Sequence, residues 1–159
     1  MIRVDKGRIA PGCLLALILV CSEAVHAETL SCAARSASGF VYDKQSDSWQ
    51  VSSFPVDERK YLVRPANQDD LIARALKYDY EITAAGSSKP VIRCKSVKLP
   101  DSNEETGLIM CKGPFGASFN IDTVTGRYIR TQPTGYVTRQ TSTAANETPF
   151  MEIGSCTSR

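Results

Sequence analysis

From residue 39 onward, apolar residues recur in short runs, mostly with period two, and each run stops at a cluster of turn formers. Gly39-Phe40-Val41-Tyr42-Asp43 leads through the polar stretch Lys44 to Ser48 into Trp49-Gln50-Val51-Ser52-Ser53-Phe54, which Pro55 ends. Aromatic and β-branched residues on both sides of such a turn predict a hairpin. Lys60-Tyr61-Leu62-Val63-Arg64, stopped by Pro65, predicts a third strand, and Tyr78 to Ala84 alternates as a strand with one buried face does. Further strands are expected at about 91–97, 107–112, 116–122, 126–131 and 147–154. Asp122-Thr123-Val124-Thr125-Gly126 forms a second hairpin turn among them.

One stretch breaks the period. Between Asp69 and Lys77, Leu71, Ile72, Ala75 and Leu76 recur at helical spacing behind Asp69-Asp70, which suit a helix N-terminus. The pattern therefore predicts about nine short strands and one short helix, an antiparallel all-β domain. Closing such a sheet into a barrel removes its exposed edges, so a small antiparallel β-barrel is expected, with a two-sheet β-sandwich as the alternative.

The first 27 residues follow a different pattern. Arg3, Lys6 and Arg8 precede the apolar run Leu14 to Val20, and Val25-His26-Ala27 offers a small-residue cleavage site. That layout is a secretory signal peptide, with an apolar run shorter than a spanning helix needs. Cys21 stands where a lipoprotein cysteine would, but Val20 before it is not the small residue that signal wants, so ordinary cleavage is preferred. The expected organisation is a leader at 1–27 and a single domain at 28–159, exported to the periplasm or secreted. No later apolar run is long enough to cross a membrane.

Export changes how the cysteines are read. Four of the six lie beyond the leader, Cys32, Cys94, Cys111 and Cys156, and none forms a C-x-x-C pair. An even set in an exported chain predicts a disulfide framework, with three pairings open. The preferred one is Cys94–Cys111, tying neighbouring strands, with Cys32–Cys156 clamping the chain ends, which lie together in a closed sheet.

Charge and chemistry then narrow the function. The chain has 19 basic and 17 acidic residues, of which the leader carries three and two, leaving a net charge of +1. That excludes the strongly basic field of a nucleic-acid binder. Cleavage also removes His26, the sole histidine, so triad chemistry lacks its imidazole base. Gly116-Ala117-Ser118-Phe119-Asn120 lacks the second glycine of a nucleophile elbow, and a strand-leading turn is the preferred reading. No catalytic, metal or cofactor residue is assigned, and no cofactor is expected.

Asp43, Asp47 and Asp122 read as turn formers because no calcium-loop spacing surrounds them, and Glu104-Glu105 falls in a polar loop. Glu152 is the acid of most interest. A regular strand would put Phe150, Glu152 and Cys156 on one face, and an inward Glu152 would need a partner such as Arg64 or a polar ligand. The preferred reading instead turns Met151 and Ile153 inward and Glu152 to solvent, with a bulge at Gly154 resetting the parity for Cys156.

All twelve aromatic residues lie beyond the leader, and Trp49 is the single tryptophan. They fill a core or line a ligand cavity, and core filling is preferred. Tyr136, in Pro133-Thr134-Gly135-Tyr136, is a candidate anchor for a partner. The sequon-like Asn146-Glu147-Thr148 is disfavoured by Pro149. Candidate binding residues are thus Trp49, Tyr136, Glu152 and Arg64.

Gly39-Phe40-x-Tyr42-Asp43-Lys44 with Trp49, then Lys60-Tyr61-x-x-Arg64-Pro65, and Thr148-Pro149-Phe150-x-Glu152-Ile153-Gly154-x-Cys156 together give the chain a resemblance. It resembles a group of small exported bacterial proteins without assigned function. The resemblance implies an exported small β-domain and carries no catalytic residue. The function expected is a non-enzymatic, monomeric binding protein, inhibitor-like, engaging another protein through rigid loops. A carrier of a small apolar or amphipathic ligand inside the barrel is the alternative, and a carboxylate-based hydrolase is the least favoured reading.

Overall fold

The structure is a computed structural model, and it describes residues 28–136 and 148–159. The leader, the polar loop around 142–146 and the start of the sequon therefore lie outside the described residues. Among the described residues there are nine strands: β1 (Leu30–Asp43), β2 (Ser48–Ser53), β3 (Lys60–Pro65), β4 (Tyr80–Ala84), β5 (Pro90–Lys98), β6 (Glu105–Lys112), β7 (Ser118–Asp122), β8 (Arg127–Gln132) and β9 (Phe150–Ser158). One α-helix, α1 (Leu71–Leu76), and one 3-10 turn (Pro114–Gly116) interrupt them among the described residues.

Every strand pairs antiparallel with its neighbour in the order β2-β1-β3-β4-β5-β6-β7-β8-β9, and β9 pairs back onto β1. That last pairing, Leu30 with Ser158 through Gly39 with Phe150, closes the sheet into a barrel rather than a sandwich. The wall has eight strands, because β2 and β3 lie end to end along one edge of β1. The chain leaves that edge only between Phe54 and Arg59, whose backbone bonds to Ala37 and Ala34 bracket the excursion.

The two disulfides are the expected ones, Cys32–Cys156 and Cys94–Cys111. Each joins residues that face each other directly across neighbouring strands, with Cα atoms 3.9 and 4.0 Å apart. They span 124 and 17 residues of chain. Chain entropy alone makes such closures worth about 5 and about 3 kcal/mol.

Three local expectations need correction. β1 begins at Leu30 rather than Gly39. Its first half, Leu30-Ser31-Cys32-Ala33-Ala34-Arg35-Ser36-Ala37-Ser38, lacks β-branched and aromatic residues, and it is held in the sheet by partners on both edges. Helix α1 forms, with the Asp70 carboxylate accepting from the Ile72 and Ala73 backbone N–H groups, but its buried face is the reverse of the one the spacing suggests. Ala73 is fully buried while Leu71, Ile72 and Leu76 are exposed. A methyl side chain lets the helix settle close, and the Asp70–Arg93 ion pair ties it to β5.

The third correction concerns β9. The bulge lies in β1, where the register shifts between Ala34 and Ser36, and not at Gly154. β9 therefore keeps strict alternation: Phe150, Glu152, Gly154 and Cys156 are buried, whereas Met151 and Ile153 are half exposed. Glu152 faces inward. The Tyr128 ring and the Ala33 carbonyl lie against Gly154, filling the space a Cβ would need.

The lumen is packed. Val63, Ile82, Ile109, Ile121 and both disulfides fill it together with Tyr61, Phe119 and Tyr128. Phe119 stacks on Tyr128 at 4.6 Å, and Tyr61 meets both rings edge-on. The turns Asp43–Ser48 and Asp122–Gly126 share one device, as their aspartates suggest. Asp43 accepts from Gln45 N–H and the Ser46 hydroxyl, and Asp122 from Val124 N–H, Thr125 N–H and the Thr125 hydroxyl. Those donors, the Ser46 and Thr125 hydroxyls foremost, hold both carboxyls below the usual aspartate range.

Candidate functional site

The barrel has two unlike ends. One carries the chain ends, α1 and the Asp122–Gly126 turn. The other, here the upper mouth, carries the β4–β5 and β6–β7 connections, the described ends of the β8–β9 connection at 133–136 and 148–149, the excursion between β2 and β3, and the projecting β1–β2 hairpin. Polar groups inside the lumen concentrate toward this mouth.

Glu152 is completely buried and organises them. Its Oε2 accepts from Arg59 Nη1 at 3.0 Å and from the Tyr61 hydroxyl at 3.3 Å, and its Oε1 accepts from the Tyr128 hydroxyl at 2.9 Å. The Tyr61 hydroxyl accepts in turn from Arg130 Nη1 at 2.6 Å. Strand parity explains the convergence. Tyr61 alternates inward on β3, Tyr128 and Arg130 do so on β8, and Arg130 stands directly opposite Glu152 in the β8–β9 register. Arg59 comes from the excursion before β3 and keeps 19 % of its side chain exposed.

Both guanidiniums also lie near one ring, Arg130 at 5.0 Å and Arg59 at 5.1 Å from the Phe150 centroid. Such contacts favour the cations by about 0.5–1 kcal/mol each at partly exposed sites. Burial raises the Tyr128 hydroxyl far above its ordinary pKa, and the adjacent Glu152 charge raises it further. Burial does the same to Tyr61, against the opposing pull of Arg130. Both phenols therefore stay protonated donors through the physiological range.

Arg64 is not the partner of Glu152. Because Tyr61 and Val63 point inward on β3, Arg64 points outward, where its Nε donates to Glu81 Oε1 at 2.7 Å. Arg59 takes the inner position instead. In contrast, Trp49 and Tyr136, distant in sequence, come together. Trp49 meets Tyr42 at 5.6 Å and Tyr136 at 5.8 Å, both edge-on. With Phe40, Pro133 and Pro149 they line an apolar groove of about 390 Å³ beside the mouth. Phe40 is 46 % and Tyr136 65 % exposed, so this rim presents large apolar surface to its surroundings.

A second cleft, of about 290 Å³, opens into the mouth itself on the other side of the β8 end. Ile82, Ile92, Phe115 and Phe119 form its apolar wall, with Arg130 and Thr134 among its polar lining. Phe115 sits in the left-handed region at φ 54° and is 74 % exposed, so its ring stands at the lip. A bulky residue held there carries backbone strain of about 1–3 kcal/mol.

Among the described residues, no group of three or more His, Cys, Asp or Glu side chains is placed to hold a metal ion. No described helix is long and apolar enough to cross a membrane. The chain matches no protein-family model, no curated protein and no solved structure with which it was compared. Its function must therefore be argued from the geometry of the mouth.

The joint role of Arg59, Arg130, Tyr61 and Tyr128 escapes a reading of the sequence by motif, because they come from a loop and two strands far apart in the chain. One signal does exist. A disulfide at Cys156 fixes the inward parity of β9, and two steps of two back along that strand reach Glu152.

Proposed function

We propose that this protein is an exported, non-enzymatic binding module that engages a protein partner through the rim of its upper mouth. The carrying observation is the groove of Phe40, Trp49, Pro133, Tyr136 and Pro149, a cluster of aromatic and proline side chains left partly open on a disulfide-tied frame. Aromatic anchors dominate binding energy at protein interfaces, and a rigid frame lowers the ordering cost of using them. The two disulfides favour an oxidising compartment, in keeping with the leader at 1–27.

The packed lumen weighs against a carrier holding its ligand deep inside the barrel, since aromatic rings and the Glu152 network already occupy that space. A hydrolase built on two carboxylates is also less favoured, because both oxygens of Glu152 are committed to structural donors.

The test is capture from the exported fraction of the producing cell, using wild type and the double variant W49A/Y136A. We expect a partner retained by wild type and lost by the variant, with the fold unchanged. A retained set identical for both would overturn the rim reading. The mass of the exported protein checks the compartment: a chain beginning at Glu28 with no free thiol is expected.

A further inference from the structure

Among the described residues, the charged side chains that face inward at the mouth are two arginines and one carboxylate, while Asp57 and Glu58 are exposed on the excursion that carries Arg59. Arg59 and Arg130 face inward near a single carboxylate, Glu152, whose oxygens are taken by Arg59, Tyr61 and Tyr128. Arg130 ends instead on two neutral oxygens, the Tyr61 hydroxyl at 2.6 Å and Gln132 Oε1 at 3.4 Å. A half-buried guanidinium without a carboxylate is held at a cost, and an arriving anion relieves it. The same cleft contains one unsatisfied group: the Thr134 hydroxyl is buried and has no hydrogen-bond partner. Ile82, Ile92, Phe115 and Phe119 line the same cleft, with Phe119 directly beside Arg130 in the β7–β8 register.

We propose that this cleft is a binding site for a carboxylate carried on a short apolar body, with Arg130 receiving the carboxylate, Thr134 donating to it, and the apolar wall holding the body. One spare positive charge matches a monoanion. The planar guanidinium suits the two oxygens of a carboxylate. At about 290 Å³ the cleft falls just below the range for small-molecule sites, roughly 300–1,000 Å³, so the body is small. A free amphipathic acid and the C-terminal carboxylate of a peptide ending in an apolar residue share this chemistry. The site does not rest on the aromatic rim, which is a separate groove, and loss of the rim partner would leave it standing.

The test is titration calorimetry on the full, disulfide-bonded protein with 4-phenylbutyrate and its neutral amide, and with acetyl-Ala-Ala-Phe and its C-terminal amide. At least one acid should bind at least tenfold more tightly than its amide, and the tighter acid identifies the source of the carboxylate. R130M should abolish that preference, and T134V should weaken the acid severalfold. Equal affinity of acid and amide, binding of none of the probes, or an acid preference that survives R130M in a folded protein would each overturn the proposal. Should R130M fail to fold, the acid-to-amide ratio on wild type and the T134V response still decide it.

Discussion

Two acids are buried among the described residues of this barrel, and their surroundings differ in one respect that separates architecture from function. Glu81 lies on the outer face, 2 % exposed, with Arg64 as its partner, and Asp70 pairs with Arg93 close by. Acids and bases there are equal in number. Glu152 lies in the lumen, fully buried, among two arginines and two tyrosine hydroxyls. Burial of charge is offset at both places, but the charges balance only at the outer one. The inner one keeps a cation to spare at an opening, and a residue that burdens the fold in this way points to a ligand.

Breaking the inner acid should have the largest effect. E152A leaves two guanidiniums facing inward without any carboxylate, and it should destabilise by about 3–5 kcal/mol in urea unfolding. The outer acid should matter less. In E81A the freed Arg64, whose side chain is already 42 % exposed, can turn into water, so a loss of about 1 kcal/mol is expected. Equal losses from the two variants would contradict the distinction drawn between them.

Gly154 sharpens the comparison from the backbone side. In G154A the new methyl collides with the Tyr128 ring and the Ala33 carbonyl, pushing Tyr128 away from Glu152. Overpacking of this kind costs about 1–3 kcal/mol, and the near-ultraviolet tyrosine signal should change with it.

The inner network should also show an alkaline pH signature. Tyr61 and Tyr128 have folded pKa values raised by burial above the ordinary value of 10.0. Below that value both folded and unfolded chains are protonated, and the network contributes fully. Above it the unfolded chain loses protons that the folded chain retains, so stability falls as pH rises. Y128F should flatten this alkaline decline, measured as the urea midpoint at about pH 9 and about pH 11.

How much of this was legible depends on what each residue signals locally. Strand alternation and turn aspartates are local, so the hairpin of Asp43, the hairpin of Asp122 and the barrel class follow from pattern alone. So does the disulfide pairing, because closing a meander brings its first and last strands together. The first half of β1 is not legible, since small polar residues carry little strand propensity and only neighbours on both edges hold them extended. The position of Glu152 was legible in principle through the parity of Cys156. Placing the bulge on β9 instead of at Arg35 on the opposing strand reverses that parity and sends Glu152 to solvent. Arg130 and Thr134 give no local signal at all. Their meaning arises from a charge count and an unpaired hydroxyl, which exist only once the barrel is closed.

The most direct test of the account is to compare R59M with R130M in equilibrium urea unfolding. Arg59 neutralises Glu152, so R59M should cost about 3–5 kcal/mol, whereas R130M removes the surplus charge and should cost less than about 1 kcal/mol or stabilise the fold. A loss from R130M as large as that from R59M would make Arg130 a structural counter-ion and contradict the claim that the mouth holds a cation in reserve for a ligand.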